Sequence, residues 1–388
     1  WFELDGDVNF DGVSARLPQL LAALRKGERY VQLGDGTHGM LPEKWLEKYG
    51  GLLEMGEADG DALRFRPTQA MLLDALLAAQ SHVNYDRGFK TFRKRLAKLD
   101  GIKPRPAPRG FQGELREYQQ QGLGWLHFLR EFGFGGCLAD DMGLGKTVQV
   151  LALLESRRTR RIGQDETRAP SLVVVPKSLV FNWIEEAARF TPKLRMLDYT
   201  GLGRKKKREQ FAEHDLIVTT YGTLRKDIAE LKDQRFDYAI LDESQAIKND
   251  KSLAAKACRL LQADHRLAMT GTPVENHLGE LWSLFEFLNP GMLGSSSTAS
   301  TLMKSAGKGD SAALDTLRQG LAPYMLRRTK DEVLTELPEK NEQTLHCEME
   351  PKQRKIYNDL RDYYRLQLTN RIEEVGMQKA KMHVLEAL

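Results

Sequence analysis

Asp140-Asp141-Met142-Gly143-Leu144-Gly145-Lys146-Thr147 is the stretch from which the rest of the chain can be read. A short apolar run, 136–140, precedes it and a helical pattern follows, so it reads as a strand–loop–helix junction. Glycines there let backbone N–H groups turn inward around phosphates, and the helix N-terminus adds partial positive charge. Lys146 is then expected to reach the β- and γ-phosphates of ATP, and the Thr147 hydroxyl to bind Mg²⁺. Asp141, Met142, Gly143, Leu144 and Gly145 form the rest of the cradle. The strict pattern asks for glycine where this chain has Asp140. The bland alternative is a glycine turn that opens an ordinary helix.

Downstream, apolar runs at 172–175, 215–220, 238–242 and 266–270 alternate with helical stretches. Continuous apolar runs separated by helices predict an α/β fold with a parallel sheet covered on both faces. Ligands in such sheets bind beyond the carboxyl ends of the strands. Two further polar sites fall there. In Ala239-Ile240-Leu241-Asp242-Glu243-Ser244-Gln245, Asp242 is expected to hold Mg²⁺ and Glu243 to polarise the attacking water. In Met269-Thr270-Gly271-Thr272-Pro273, the hydroxyls are placed to contact the water at the γ-phosphate, or Gln245. Alone, either segment reads as a turn.

Residues 1–85 read as a small α+β accessory domain. Asp5-Gly6 predicts a hairpin within residues 1–10, and Gly34-Asp35-Gly36 a second within 30–40. Helices are expected over 13–24 with Ser14 as cap, from Pro42 to near Tyr49, and over 68–80. Residues 86–112 are a linker, marked by three prolines among residues 101–113. Residues 113–294 form the sheet domain. Residues 295–345, rich in Gly, Ser, Thr and Ala near their start, read as a helical insertion and connection, and 346–388 as strongly helical.

The 388 residues carry Lys+Arg 58 against Asp+Glu 54, a net charge of +4. Residues 1–80 hold 13 acidic and 8 basic residues, net −5, which leaves +9 on the remainder. That balance alone does not define a nucleic-acid partner. Cys137, Cys258 and Cys347 lie far apart, without a CxxC pair, which excludes a zinc knuckle and argues against a disulfide framework. Cys137 is expected to be packing rather than a nucleophile. No run approaches the roughly 18 apolar residues of a membrane span. A cytoplasmic protein is expected. The chain begins at Trp1 and is expected to be a fragment.

With these motifs in place, the chain resembles the Swi/Snf-type ATPases, helicase-like members of superfamily 2, from Leu115 to about Leu337. The resemblance implies a RecA-like P-loop lobe, with a small α+β domain before it and a helical extension after it. Gln119, in Leu115-Arg116-Glu117-Tyr118-Gln119, stands where the family reads adenine. Asp-Asp-Met-Gly-Leu-Gly-Lys-Thr is the family's form of the phosphate loop, which accounts for Asp140. Pro176, Lys177, Ser178 and Asn182-Trp183 resemble motif Ia, and Thr219, Thr220 and Tyr221 resemble motif Ib; both grip DNA phosphates in the family. Thr270, Gly271 and Thr272 resemble the coupling motif III, and 325–330 the connection after the first lobe. Residues 1–80 are similar to an accessory domain of bacterial members.

The resemblance implies an ATP- and Mg²⁺-dependent translocase on double-stranded DNA, acting on protein–DNA complexes without separating strands. A monomer in the bacterial cytoplasm and nucleoid is expected. Motifs IV to VI of a second lobe are not found after Leu337, so slow hydrolysis is expected of this chain alone. A DNA- or protein-binding module without motor activity, and an RNA helicase, are the competing readings. Asp-Glu-Ser-Gln and Thr-Gly-Thr-Pro differ from the Asp-Glu-Ala-Asp and Ser-Ala-Thr of RNA helicases. Small donors at strand ends suit backbone contacts but equally suit caps. The run 204–208 suits phosphate attraction or a solvated helix face. The arginines in 158–164 mimic motif VI but lie too early, and read as an exposed loop.

Overall fold

A computed structural model of the chain describes residues 1–41, 53, 55–77, 86–97, 101–162, 169–271, 278–294, 318–333, 344 and 347–375. Two compact units result, Trp1–Thr335 and Glu336–Leu388.

The first unit is organised by a seven-stranded, all-parallel sheet. The strands N-terminal to it are β1 (Phe2–Leu4), β2 (Asp7–Phe10), β3 (Val13–Arg16), β4 (Tyr30–Gln32), β5 (His38–Met40), β6 (Glu57–Asp59) and β7 (Ala62–Phe65). Those of the sheet are β8 (Gly136–Leu138), β9 (Ser171–Val175), β10 (Met196–Asp198), β11 (Leu216–Thr220), β12 (Arg235–Leu241), β13 (Gln262–Met269) and β14 (Met325–Leu326), in the order β10-β11-β9-β12-β13-β8-β14. All five expected strands are present; β10 and β14, at the two edges, are additions too short to carry an apolar run.

Ser-Leu-Val-Val-Val in β9 is buried at every position. Val173 and Val175 enter one core and Leu172 and Val174 the other, as the two-residue repeat of a strand requires. The same division separates Leu216 and Val218 from Ile217, and Ile240 from Ala239 and Leu241. Burying each such side chain is worth about 1.5–3 kcal/mol, so a polar residue within these strands is strongly opposed. The helices Glu117–Phe132, Lys146–Ile162 and Val180–Phe190 close the first core, and Tyr221–Leu231 and Leu253–Leu260 the second.

The N-terminal segment differs from expectation. β1 pairs with β7, not with β2. The hairpin forms one turn later, β2 with β3 across Asp11-Gly12, both at positive φ, the geometry of a tight two-residue hairpin turn. Ser14 is therefore within a strand, and the helix starts at Leu17 behind Arg16. The β4–β5 hairpin forms as read. The helix expected from Pro42 lies outside the described residues, as do 295–317. The expected helix over 68–80 is a 3-10 turn, Pro67–Gln69, followed by a helix, Ala70–Leu77.

Residues of the N-terminal segment and of the sheet domain share one core. The stretch read as a linker contains a helix, Arg87–Ala97, that buries Phe89 and Phe92 in this core, and Phe92 packs on Phe132 with ring centroids 5.7 Å apart. Arg66 Nη1 donates to Pro290 O (3.0 Å), Gln69 Nε2 to Met292 O (3.3 Å), and Tyr324 Oη to Thr68 O (2.9 Å). Arg158 is not in an exposed loop. It belongs to the helix Lys146–Ile162 and pairs with Glu155 at 2.7 Å, while Arg157 forms a buried ion pair with Asp237. Residues 163 and 164 lie outside the described set.

The basic run is largely spent within the protein. Arg204 donates through Nε and Nη2 to Asp227 (2.6 and 2.8 Å), and Tyr199 Oη donates to the same carboxylate at 3.2 Å. Lys205 and Arg208 pair with Glu230, and Lys207 Nζ donates to Asp198 O. The second unit contains the helix Pro351–Val375, on which Ile356, Tyr357, Leu360, Tyr363 and Tyr364 are exposed.

Asp227→Asn leaves Arg204 without its buried counter-charge and is expected to cost about 3 kcal/mol at neutral pH. Arg204 holds the Asp227 carboxyl below its ordinary value. A lowered folded pKa gives stability that is present above the unfolded value and lost as pH falls through the folded one. Urea unfolding at several pH values should therefore show the two proteins converging in acid; a gap that stays constant would contradict this account.

Candidate nucleotide-hydrolysis site

The carboxyl ends of β8, β13, β12 and β9 lie side by side, because β13 pairs with both β8 and β12, and β12 with β9. Chemistry scattered through the sequence is thereby gathered on one edge. After β8, Gly143 and Gly145 adopt φ of +87° and +72°. Side chains rarely take this conformation, and a Cβ at Gly145 would stand 2.6 Å from Gln119 Nε2. Gln119 Nε2 and Tyr118 Oη both donate to Leu144 O at 3.2 Å, and Gln119 Oε1 accepts from Arg116 N. Gln119 thus braces the loop while keeping one N–H and one lone pair for a further partner. Leu144 is buried and Met142 exposed.

Lys146 opens its helix, and Nζ donates to Asp140 O at 2.7 Å and to Asp141 O at 3.4 Å. Thr147 is half-buried beside it. Asp140, at the position of the expected glycine, has no exposed surface. It is paired with Arg328, which donates from Nε to Oδ1 at 3.0 Å and from Nη2 to Oδ2.

After β12, Asp242 is buried; Oδ2 accepts from Trp183 Nε1 at 2.8 Å and Oδ1 from Glu243 N at 2.9 Å. Burial raises its carboxyl above the ordinary value, against the Trp183 hydrogen bond and the Lys146 charge. Glu243 has φ +49°, an uncommon conformation for a non-glycine residue. Gln245 Nε2 donates to Glu243 Oε2 at 2.8 Å, and Thr270 Oγ1 donates to Gln245 Oε1 at 3.0 Å. The segment containing Thr270 and the acid pair are therefore linked through Gln245, the second of the two contacts the sequence left open. A Cβ on Gly271 would stand 3.2 Å from Met142 Cγ, which puts the end of β13 against the phosphate loop. Thr272 lies outside the described residues.

The donor set suits Mg²⁺. A hydroxyl and a buried, incompletely paired carboxylate are hard oxygen ligands, and no group of three or more His, Cys, Asp or Glu among the described residues could hold a metal by itself. Mg²⁺ commonly takes one or two protein ligands, with water and phosphate oxygens completing its shell.

The residues of the expected DNA face divide. Lys177, Ser178 and Asn182 are exposed and Pro176 half-buried, along the turn Lys177–Leu179 and the helix after it. Thr219 is buried, and its hydroxyl donates to Tyr199 O at 3.0 Å, so it does not present a donor at the surface. Thr220 caps the helix Tyr221–Leu231 by accepting from Thr223 N, and Tyr221 Oη donates to Asp242 O at 2.8 Å. Cys137 is packing: buried, with its thiol pushed up to about 12.

Three participants had no role assigned at this site. Trp183, read with motif Ia, turns inward to Asp242 instead. Glu186 is raised above the ordinary carboxyl value by burial and then by Asp242, and its Oε2 is buried without a hydrogen-bond partner. Arg328 had one usable signal: an aspartate in place of a buried glycine calls for a cation.

Residues 118–388 match the family described as SNF2-related domain, and the chain belongs to that family. It is thus a member of an ATPase superfamily. It is 37% identical over 308 residues to the TATA-binding protein-associated factor MOT1 of Saccharomyces cerevisiae, covering 74% of this chain and 16% of that protein. It is 36% identical to a putative ATP-dependent helicase/translocase, YwqA, of Bacillus subtilis, over 74% of this chain and 32% of the other. Among solved structures it is similar to the Sulfolobus solfataricus SWI2/SNF2 ATPase core in complex with double-stranded DNA, with TM-score 0.54 and 36% identity, covering 74% of this chain and 58% of that one. No helix among the described residues is long and apolar enough to cross a membrane.

Thr270→Val removes the hydroxyl that fixes Gln245 while keeping the side chain's shape. Nucleotide affinity should stay within about 2-fold while turnover falls about 10- to 100-fold, the usual cost of losing a positioning contact. Titration with a fluorescent ATP analogue beside steady-state hydrolysis separates the two; equal losses in both would refute the arrangement. Because burial raises Asp242, acidification should weaken Mg²⁺-dependent nucleotide binding above the ordinary carboxylate range. Asp242→Asn should abolish that pH dependence.

Proposed function

We propose that the chain is the nucleotide-binding lobe of an ATP-dependent motor that moves along double-stranded DNA and remodels protein–DNA complexes without separating strands. The observation that carries this reading is the chain of contacts Glu243–Gln245–Thr270 beside the phosphate loop. It ties the residue suited to polarise water to a segment that can report a change at the γ-phosphate.

In this reading Lys146 and the loop N–H groups would hold the β- and γ-phosphates, and Thr147 and Asp242 would hold Mg²⁺, which would supply charge neutralisation at the phosphates. Trp183 fixes Asp242. Glu243 accepts the proton of the attacking water, and Gln245 orients Glu243. Gln119 reads the base with its remaining amide groups.

Pro176, Lys177, Ser178 and Asn182 supply sequence-independent contacts to DNA phosphates. Thr220 and Tyr221 act through backbone and packing rather than as free donors. Support for DNA comes from the likeness to a SWI2/SNF2 core in complex with double-stranded DNA. Support for a protein–DNA substrate comes from the likeness to a TATA-binding protein-associated factor. The protein acts as a monomer in the bacterial cytoplasm.

ATPase assays with double-stranded DNA, single-stranded DNA and RNA test the reading. Stimulation by double-stranded DNA is expected; stimulation by RNA alone would reject it, and DNA binding without stimulation would favour a binding module. Glu243→Gln should bind ATP and DNA and lose turnover. The 388-residue polypeptide should hydrolyse ATP slowly, since arginines supplied from elsewhere are worth about 10³ to 10⁵-fold in this chemistry. Rapid DNA-stimulated turnover by it would overturn that expectation.

A further inference from the structure

Arg328 lies 188 residues from Asp140 in sequence and meets it inside the protein. Arg328 is 9% exposed and Asp140 0%. Beyond the two-pronged pair with Asp140, Arg328 Nη2 donates to Gln149 Oε1 at 3.0 Å, and Nη1 donates to Tyr118 O. Gln149 Nε2 in turn donates to Asp140 Oδ2 at 3.3 Å. One guanidinium therefore joins the end of β8, the helix carrying Gln119 and the helix opened by Lys146.

The backbone repeats the connection. Ala139 N donates to Leu326 O at 2.7 Å and Asp141 N to Arg328 O at 3.0 Å, while Lys330 N donates to Asp141 Oδ2 at 3.2 Å. The same loop entrance holds the key cation, since Asp140 O accepts from Lys146 Nζ. Displacing residues 326–330 would shift the Asp140 peptide, and with it the anchor of Lys146.

We propose that Arg328 is a positioning residue for the phosphate loop, so that nucleotide affinity depends on the placement of the segment 326–330, and nucleotide binding in turn orders that segment. The reciprocity is required by linkage. The inference rests on the nucleotide-site reading above. A merely structural ion pair predicts something else: removing both charges together should be nearly neutral. A positioning pair predicts that the double replacement folds but binds nucleotide weakly, because the fork of fixed donors is gone.

The test uses the 388-residue chain, a fluorescent ADP analogue and urea unfolding. Arg328→Gln should weaken ADP binding about 10-fold or more, and Arg328→Lys, which keeps charge but not the fork, by an intermediate factor. The double variant Asp140→Asn/Arg328→Gln buries no unpaired charge and should unfold near the wild-type urea midpoint, yet still bind ADP about 10-fold more weakly. Wild-type affinity in that variant would overturn the proposal. A measurement without mutation runs beside it: ADP should slow amide hydrogen exchange at Lys330 as well as at 143–147. Protection confined to 143–147 would also overturn it. Lys146→Ala separates the two levels of the argument. Wild-type ADP binding by that variant would remove the nucleotide site itself, whereas its loss of binding with an unaffected Asp140→Asn/Arg328→Gln variant would remove only the role of Arg328.

Discussion

The central strands β9 and β12 are buried on both faces, and this constraint sets where chemistry can stand. Neither face admits an unpaired charge at low cost: Asp237, inside β12, is held by Arg157, and the acids left for chemistry stand at the strand ends. Strand order then decides which ends are neighbours. Because β13 lies between β8 and β12, the segment containing Thr270 stands between the phosphate loop and Asp242-Glu243. The contact from Thr270 to Gln245 follows from that order, not from proximity in sequence.

Gathering charge at a buried edge creates its own problem, which the site solves by pairing. Asp140 is neutralised by Arg328. Asp242 keeps one N–H donor on each oxygen and is raised by burial, which leaves it ready for a divalent cation. Glu186 adds a second half-buried carboxyl within reach of the Asp242 charge. The contrast is functional. The carboxylate at the loop entrance is fully paired with a cation, whereas those beside β12 are incompletely compensated, the condition under which a metal ion is attracted.

Sequence made the sheet legible where it was dense in information. Apolar runs located five strands, and the glycines of 143–145 located the loop, since few structures need that spacing. It failed where information was thin. β10 and β14 are too short for a pattern, and β14 forms because its neighbours leave an edge beside β8. Asp5-Gly6 and Asp11-Gly12 both look like hairpin turns, and a tertiary partner, β7, decided between them by taking β1. Side-chain direction was the other gap. Thr219 and Thr220 are adjacent hydroxyls after the same apolar run, yet one turns into the core and the other caps a helix, because successive strand residues face opposite ways.

Charge is the case in which composition and structure part most clearly. The run 204–208 is the densest basic segment within the sheet domain, and it would be the natural choice for a phosphate-binding patch. Yet Arg204 is committed to Asp227, Lys205 and Arg208 to Glu230, and Lys207 to the Asp198 carbonyl. The five cations of the run face only two carboxylates, Asp227 and Glu230, so the cluster keeps a net charge of +3. The donors of Arg204, Lys205, Lys207 and Arg208 are nevertheless already engaged inside the protein, and the remaining field is screened over a Debye length of about 8 Å. Lys177 stands differently: exposed, at the carboxyl end of a central strand, beside Ser178 and one turn from Asn182. If this face meets DNA as proposed, a single cation flanked by small neutral donors would grip a phosphate by placement rather than by field. Contacts of that kind, each weak and replaceable, would suit the proposed motor, which has to release and re-engage its track, better than a strongly charged surface would.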